Sequence, residues 1–451
     1  MTALRAYARD RALPAALGDA GLVLPEDDAL AALVAARLAG PGVTLEGVEL
    51  LHARWKPGVA LVGLYRVQVA GHGERLVGYK RHVGGKGARL ASDFVPEERA
   101  VTAATPLLAT APLDGGDGHL WTFPADRDLR GAQRAFDLDR FARRFDEAGV
   151  CPGFVLRKRA SHLEVLRYKP ERRVVARLDA KLRGEGGADT RAARRFGLRV
   201  LPLGEAAGVA ARRRQLEAAL ARQHGAAEAR VATAASTLVP RLAHFDERDG
   251  LLVEDWLDGA THTSTEFRHA AEAGAALAAL HAAPLSPDVA GERSAAASGP
   301  AGLDVLARLT GLEAATRRLG AALAAHGHGR RTVFVHGDFH PDQVLTTGEG
   351  PRLLDLDTLG LGAPEVDLAS WIADHLTEAP SVTYTDAAAT LVREYTRRGG
   401  AFDADRLGLE VGAALLARAA AAVRRLEVGA ARKAAALVAR AEAVLAGEDA
   451  P

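Results

Sequence analysis

The sequence contains very little cysteine: Cys151 is the single one among 451 residues. One cysteine cannot form an internal disulfide, and it cannot supply a metal site built from several thiolates. The fold must therefore be stable without either kind of cross-link, which suits a reducing compartment. We expect a cytoplasmic protein.

The sequence also lacks an excess of charge of one sign, with 58 Lys and Arg against 57 Asp and Glu and a net charge of +1. A near-neutral chain is not attracted as a whole to nucleic acid or to an anionic membrane, so we expect neither as a partner. Charge is uneven only locally. Between Arg157 and Arg214, 17 Lys or Arg stand against 6 Asp or Glu, a surplus that serves either nucleotide phosphates or a solvated face.

Long uninterrupted apolar runs are absent as well. The N-terminal residues carry a charge every few positions, unlike a signal peptide, and the most apolar stretch near the C-terminus, residues 413–445, is broken by Arg and Glu. We expect amphipathic helices there and no membrane span. With 451 residues and 48% hydrophobic content, the chain is long enough for two or three packed domains.

The most informative stretch of the sequence runs from Thr332 to Ala369. An apolar strand is predicted at residues 333–335, the chain breaks at His336-Gly337-Asp338, and further apolar strands are predicted at 344–345 and 353–356. Polar side chains are therefore held on loop ends beside a small sheet.

Three polar residues in this stretch have the types and spacing that phosphoryl transfer requires. Asp338 and Gln343 are five apart, as are the Asp and Asn of the protein-kinase catalytic loop, and Asp355 follows them. The reaction needs a carboxylate beside the acceptor hydroxyl, and hard oxygen ligands for Mg²⁺ on the nucleotide phosphates. Asp338 fits the catalytic role, and Gln343 and Asp355 fit the metal-binding role.

The same residues resemble the aminoglycoside phosphotransferase and choline kinase family, in which H-G-D-x-H-x-x-N is followed by D-x-D and later by Asp-Leu-Ala. The corresponding positions here are 336–343, 355–357 and 367–369. Gln343 replaces the usual Asn, and its amide offers the same oxygen on a stem one methylene longer. The resemblance implies a kinase that uses ATP or GTP with Mg²⁺. Its acceptor would be a hydroxyl of an aminoglycoside, sugar, amino alcohol or similar metabolite.

Three further residues of the stretch are predicted to hold the loop in shape. His336 and His340 are expected to brace it by hydrogen bonding instead of acting in the chemistry, because a neutral imidazole commonly fixes geometry. Asp367 is expected to tie the loop to the following helix through backbone amides.

The fold class implied by the resemblance is α+β, a two-lobed protein-kinase-like fold with a duplicated N-terminal small-lobe-like module. The duplication is predicted because Arg54-Trp55-Lys56-Pro57 and Arg167-Tyr168-Lys169-Pro170 match, each between two apolar strands. Two unrelated hairpins with similar turns are the alternative. The predicted segments are a helical N-terminus at 1–44, a first small-lobe-like module (a cap) at 45–135, a helical bridge at 136–160, the nucleotide-binding small lobe at 161–259, and a helical large lobe with the catalytic loop and acceptor site at 260–451.

Alternation of apolar residues predicts the elements within these segments. Predicted strands are 48–55, 61–69, 76–80, 119–123, 163–170, 174–182, 195–201 and 251–253, and predicted helices are 30–38, 97–107, 207–223, 266–281, 303–326, 386–398 and 407–446.

The nucleotide contacts follow from the same resemblance. Residues 251–259 resemble the hinge between kinase lobes, so backbone groups of Asp255 and Leu257 would bind the purine. Lys169 lies in the turn that covers the phosphates in such kinases, although this turn has no glycine. Arg199 stands where kinases have a phosphate-binding lysine, and we predict that it contacts the phosphates. Lys80 of the first module is predicted to be dispensable, the alternative being that the first module lends Lys80 to the site.

The sequence leaves three classes of function open. The first is the small-molecule kinase, and the second is an inactive pseudokinase that binds nucleotide or a partner protein. The third is a nucleic-acid-binding module that uses the basic segment, which the near-neutral charge disfavours. The acceptor, the choice of ATP or GTP and the oligomeric state are not specified by the sequence.

Overall fold

A computed structural model describes most of the chain. The described residues are 9–11, 22–83, 106–185, 190–223, 238–262, 269–285, 303–306 and 331–448, with seven further positions between 312 and 325. The chain divides into two compact units. Unit 1 comprises Met1–Ala207, Ala243–Val253 and Ala422–Ala430, and unit 2 comprises Gly208–Leu242, Glu254–Ala421 and Ala431–Pro451.

The first sheet of unit 1 has five antiparallel strands in the order β1-β2-β3-β5-β4. The strands are β1 (Leu45–Lys56), β2 (Ala60–Val69), β3 (Gly73–His82), β4 (Thr110–Pro112) and β5 (Gly118–Thr122). Helix α1 (Asp27–Arg37) packs against β1 and buries Leu30 and Val34. These two residues are four apart, the spacing that places side chains on one face of a helix.

The second sheet has the order β10-β11-β9-β8-β6, and β7 also pairs with β8. It belongs to unit 1 except for Leu242, Glu254 and Asp255, which are part of unit 2. Its strands are β6 (Phe154–Leu156), β7 (His162–Lys169), β8 (Arg173–Gly184), β9 (Arg191–Val200), β10 (Leu242–Asp246) and β11 (Leu251–Asp255). Every second residue of β8 from Val174 to Gly184 is buried, as expected for a strand with one face on the core. Helices α2 (Gly131–Ala135) and α3 (Leu138–Glu147) precede this sheet. Apolar residues of both sheets and both helices form one buried cluster.

The two sheets share a strand order and a register. A three-strand meander is followed by a hairpin whose second strand joins the meander, giving β1-β2-β3-β5-β4 and β7-β8-β9-β11-β10. Lys80 on β3 pairs with Val62, which lies two residues after Ala60, the first residue of β2. Arg199 on β9 pairs with Val175, which lies two residues after Arg173, the first residue of β8. Lys80 and Arg199 therefore occupy equivalent positions, as the predicted duplication requires. A common origin of the two modules stays a prediction.

Unit 2 combines two small sheets with helices. A three-stranded sheet has the order β12-β14-β15, and β13 pairs antiparallel with β16. The strands are β12 (Ala260–Thr261), β13 (Val333–Val335), β14 (Val344–Thr347), β15 (Gly350–Leu353) and β16 (Gly360–Gly362). The helices with residues in this unit are α4 (Leu203–Gln223), α5 (Ala270–His281), α6 (Leu303–Leu306), α7 (Glu365–Glu378), α8 (Tyr384–Arg397), α9 (Ala404–Arg424) and α10 (Ala430–Leu445). Helices α5 and α8 approach closely at Gly274, where an added Cβ would lie 2.6 Å from the carbonyl oxygen of Leu391.

Most of the predicted strands and helices are present, with three differences. The strand predicted at 353–356 is wrong beyond Leu353, because the chain turns at Asp355, whose φ is 56°. The helix predicted at 407–446 is two helices, separated by residues 425–429. Short strands β4, β6, β10, β12 and β16 were not predicted, since segments of two to five residues carry little periodicity. The predictions for 97–105, for 266–268 and for most of 303–326 lie outside the described residues.

None of the helices among the described residues is both long enough and apolar enough to cross a membrane.

Candidate active site

The loop that carries Asp338 begins where β13 ends. Gly337 has a φ of 81°, a left-handed conformation that glycine adopts without strain, so the chain can turn sharply before Asp338. Residues 341–343 then form one short 3₁₀ turn, and β14 begins at the next residue. Asp338 and Gln343 are thus held on one short loop between two strands.

Asp367 of α7 anchors this loop. Its carboxylate accepts hydrogen bonds from the backbone N–H groups of His336, at 2.7 Å, and Gly337, at 2.8 Å. The same carboxylate lies 3.1 Å from Nε2 of His281, whose Nδ1 is 2.9 Å from the hydroxyl of Tyr395. All of these side chains are buried. The predicted role of Asp367 in tying the loop to the following helix is confirmed.

His336 supports the loop through both ring nitrogens. Its Nε2 lies 2.7 Å from the backbone carbonyl oxygen of Leu354 and must donate, because a carbonyl can only accept. Its Nδ1 is therefore the acceptor for the backbone N–H of Asp338, at 3.4 Å. The hydroxyl of Thr358 donates to the carbonyl oxygen of His336. The predicted bracing role of His336 is confirmed.

His340 holds the side chain of Gln343. Nε2 of Gln343 donates to Nε2 of His340 across 2.9 Å, and burial lowers the pKa of His340, which favours the neutral imidazole that can accept. The amide oxygen of Gln343 is not used in that bond. The backbone is held too, because the Gln343 carbonyl accepts from the N–H of Leu354 at 2.8 Å. The buried Gln343 therefore offers a fixed oxygen donor.

Asp355 follows β15 in a left-handed backbone conformation, with φ and ψ both 56°. Aspartate tolerates this region better than most residues do, and such conformations are frequent at functional sites. Its carboxylate is close enough to Asp338 to raise the pKa of that residue. The loops after β13 and β15 thus bring Asp338 and Asp355 together. The oxygens of Gln343 and Asp355 fit Mg²⁺, because hard oxygen donors suit this ion.

Asp338 is poised as an ionised carboxylate. Loss of hydration raises the pKa of Asp338, whereas attraction to the Arg418 guanidinium, and to His340 and His336 when these imidazoles are protonated, lowers it, so that the pKa lies below its ordinary value. A solvent-accessible carboxylate that stays charged at neutral pH can accept a hydrogen bond from a hydroxyl group.

Two residues of α7 that were not predicted as part of the site, Trp371 and Asp374, lie beside the loop. Trp371 stacks on Phe339, with ring centroids 5.3 Å apart. Asp374 forms an ion pair with Arg418 of α9, with Oδ1 and Nη1 2.6 Å apart. Trp371 and Asp374 are three residues apart on one buried face of α7. A charged residue within an apolar helical stripe is the sequence signal that could have predicted this pair.

The residues predicted to bind nucleotide lie partly in each unit. Arg199 is buried on β9 in unit 1, and Lys169 begins the turn between β7 and β8. Burial, then Arg167 and other nearby arginines, lower the pKa of Lys169 to about 7. In unit 2, Asp255 pairs with Arg241, with Oδ2 and Nε 2.8 Å apart, and its backbone N–H donates to the Arg241 carbonyl. Leu257 is half-buried.

The turn at Lys169 contains a feature that the sequence did not reveal. Glu171 adopts a φ of 61°, and the N–H of Arg172 donates to the carbonyl of Lys169, as in a type II turn with glycine at that position. The Glu171 carboxylate lies 2.5 Å from Nζ of both Lys56 and Lys80. Lysines of the first sheet therefore contact the turn of the second sheet within unit 1.

Comparison with protein families matches residues 136–410, more than half of the chain, to the phosphotransferase enzyme family. Comparison with curated protein sequences finds no match.

Several solved structures are similar to this chain. The choline kinase LicA from Streptococcus pneumoniae has 13% sequence identity and a TM-score of 0.43, covering 65% of this chain and 97% of that one. The amicoumacin kinase hAmiN, solved with AMP-PNP and Ca²⁺, has 10% identity and a TM-score of 0.44, covering 63% and 88%. A choline/ethanolamine kinase family protein from Mesorhizobium loti has 20% identity and a TM-score of 0.39, covering 59% and 85%.

Proposed function

Because the chain belongs to the phosphotransferase enzyme family, we propose that it transfers the terminal phosphate of ATP or GTP to a hydroxyl group of a small molecule. The acceptor class is an aminoglycoside, sugar, amino alcohol or similar metabolite. The observation that carries the proposal is the ionised, solvent-accessible Asp338 on a loop fixed by Asp367 and His336.

Asp338 orients the acceptor hydroxyl and takes its proton as the new P–O bond forms. A carboxylate whose pKa lies below its ordinary value is a weak base, so orientation is the larger part of its role. Preorganisation supports this role, since the backbone N–H groups of His336 and Gly337 are held by hydrogen bonds and do not need to rearrange for each turnover.

Gln343 and Asp355 would hold the Mg²⁺ ion. The ion would neutralise negative charge on the nucleotide phosphates. The chain contributes by fixing the donors: His340 takes the amide N–H of Gln343, so the amide oxygen is the atom that remains for the metal.

We assign the nucleotide contacts unit by unit. In unit 1, Arg199 and Lys169 would contact the phosphates through their positive charge. In unit 2, the backbone N–H of Asp255 is already used in a bond to Arg241. The carbonyl of Asp255 and the N–H of Leu257 are therefore the groups that would bind the purine edge.

A panel of small alcohols tests the proposal. The full chain is incubated with ATP or GTP, Mg²⁺ and each alcohol, and release of nucleoside diphosphate is followed together with the phosphorus NMR spectrum of the acceptor. We expect a phosphate monoester on at least one acceptor. Tight nucleotide binding without a phosphorylated product across the panel would favour the pseudokinase, which Gln343 and Arg199 make the second candidate because both depart from the usual kinase residues.

A further inference from the structure

Three metal-ligating side chains of unit 2 lie together away from Asp338, Gln343 and Asp355. His262 follows β12, His269 immediately precedes α5, and Glu272 lies in the first turn of that helix. We call these residues the His–His–Glu cluster. Each can offer one ligand atom such that all three atoms lie within 4.8 Å of one another.

The distances in the cluster suit a small tetrahedral ion. Oε2 of Glu272 is 3.4 Å from Nε2 of His262 and 3.7 Å from Nδ1 of His269. Bonds of about 2.0–2.2 Å at tetrahedral angles put two ligand atoms about 3.4 Å apart. The imidazole rings are stacked with centroids 3.6 Å apart. One ring must therefore turn to aim its lone pair at the ion, and His269, with 19% of its side chain exposed, has the room to do so.

Thr346 of β14 holds the cluster in place without an ion. Its hydroxyl donates to the carboxylate of Glu272 and lies 2.8 Å from Nε2 of His262, so it accepts the Nε2–H proton of that ring. Metal binding through Nε2 moves this proton to Nδ1 and breaks the bond from His262. The bond from Thr346 to Glu272 can persist and orient the carboxylate, as outer-shell partners of metal ligands commonly do.

The donor set favours a different metal from the one expected at Gln343 and Asp355. Two imidazole nitrogens and one carboxylate oxygen are typical ligands for Zn²⁺, whereas Mg²⁺ prefers oxygen donors alone. The positive end of the α5 dipole works against a cation here, and the negative charge of Glu272 in the first turn offsets that effect.

We propose that the His–His–Glu cluster binds one Zn²⁺ ion, at a site separate from the Mg²⁺ ligands. The ion would fasten the end of β12 to the start of α5, next to the strand β14 that begins directly after Gln343. It would therefore stiffen the chain that follows Asp255 and Leu257. The proposal does not depend on the phosphotransfer reaction.

Calorimetric titration of the full chain with ZnCl₂ tests the site. The protein is first stripped with a chelator and then kept in excess Mg²⁺, so that Gln343 and Asp355 do not compete for zinc. We expect one Zn²⁺ per chain, and Co²⁺ as a spectroscopic probe should give the visible absorption of tetrahedral coordination. Glu272→Gln and His269→Ala should each weaken binding at least about tenfold, since even outer-shell substitutions cause losses of that size.

Controls separate this site from general histidine or carboxylate binding. His72→Ala removes an exposed imidazole of unit 1 and should bind Zn²⁺ like the unaltered chain. Glu272→Gln keeps the size of the side chain and His269 is partly exposed, so both variants should fold, which circular dichroism checks. The proposal is overturned if the unaltered chain binds no Zn²⁺, if both cluster variants keep its isotherm, or if Asp355→Ala removes the zinc binding instead.

Discussion

Replacing Glu171 by glutamine should destabilise unit 1, because this carboxylate contacts two lysines of the first sheet. The Glu171 side chain is 5% exposed, and Lys80 and Lys56 are 13% and 26% exposed. Removing one partner of a buried ion pair costs about 3–5 kcal/mol. Since Lys56 keeps part of its hydration, we expect a loss near the lower end, about 3 kcal/mol in the free energy of unfolding.

A glycine at the same position gives a matched comparison. Glu171→Gly also removes the carboxylate, but it relieves the left-handed backbone, which costs a side-chain-bearing residue roughly 1–2 kcal/mol. Gly58, with a φ of 63° in the equivalent turn of the first sheet, shows that glycine suits this position. The net loss for Glu171→Gly should therefore be about 1–2 kcal/mol, smaller than that for the more conservative glutamine.

Urea unfolding followed by fluorescence measures both losses, and its pH dependence tests their cause. Burial raises the pKa of Glu171, but Lys80 and Lys56 outweigh it and hold the pKa well below its ordinary value. A lowered carboxyl pKa contributes stability above the unfolded value, and this stability is lost as the pH falls toward the folded value. The difference in the free energy of unfolding between the unaltered chain and Glu171→Gln should thus shrink below about pH 4.5. A difference in unfolding free energy under about 0.5 kcal/mol at neutral pH, or a difference that does not change with pH, would refute the reasoning.

Further outcomes are expected at the nucleotide and metal residues. Gln343→Ala and Asp355→Ala should weaken nucleotide affinity in Mg²⁺ but not with a chelator present, and calorimetry showing equal losses in both would contradict their metal role. Arg199→Ala should reduce turnover far more than Lys80→Met, and the reverse order would assign the phosphates to Lys80. Because the Lys169 pKa is about 7, nucleotide affinity should fall as the pH rises through neutrality, and Lys169→Met should lose this dependence, as fluorescence titrations at several pH values can show.

The parts of the fold that short-range pattern controls could be predicted from the sequence. The long strands were found because buried residues such as Val174 and Ala176 alternate with less buried neighbours. The strand and loop around Asp338 were found because the motif is contiguous. The end of β15 was misplaced because the apolar run continues to Leu356, whereas the backbone reverses at Asp355.

The contacts that define the candidate site join residues far apart in the sequence. Asp374 and Arg418 are separated by 44 positions, and Lys80 is 91 positions from Glu171. No local spacing indicates such pairs, because they depend on how helices and sheets pack. The predicted Asp367 anchor is an exception, since its place in the family motif already implied a contact with the loop.

The central claim is that Asp338 acts on the acceptor hydroxyl, and turnover by Asp338→Asn tests it most directly. Asparagine has the same shape and cannot take the proton, so the fold and the nucleotide affinity should be kept. On an acceptor that the unaltered chain phosphorylates, we expect turnover to fall by roughly 10²–10⁴-fold. Turnover within about a factor of two of the unaltered chain, far short of that loss, would contradict the assignment.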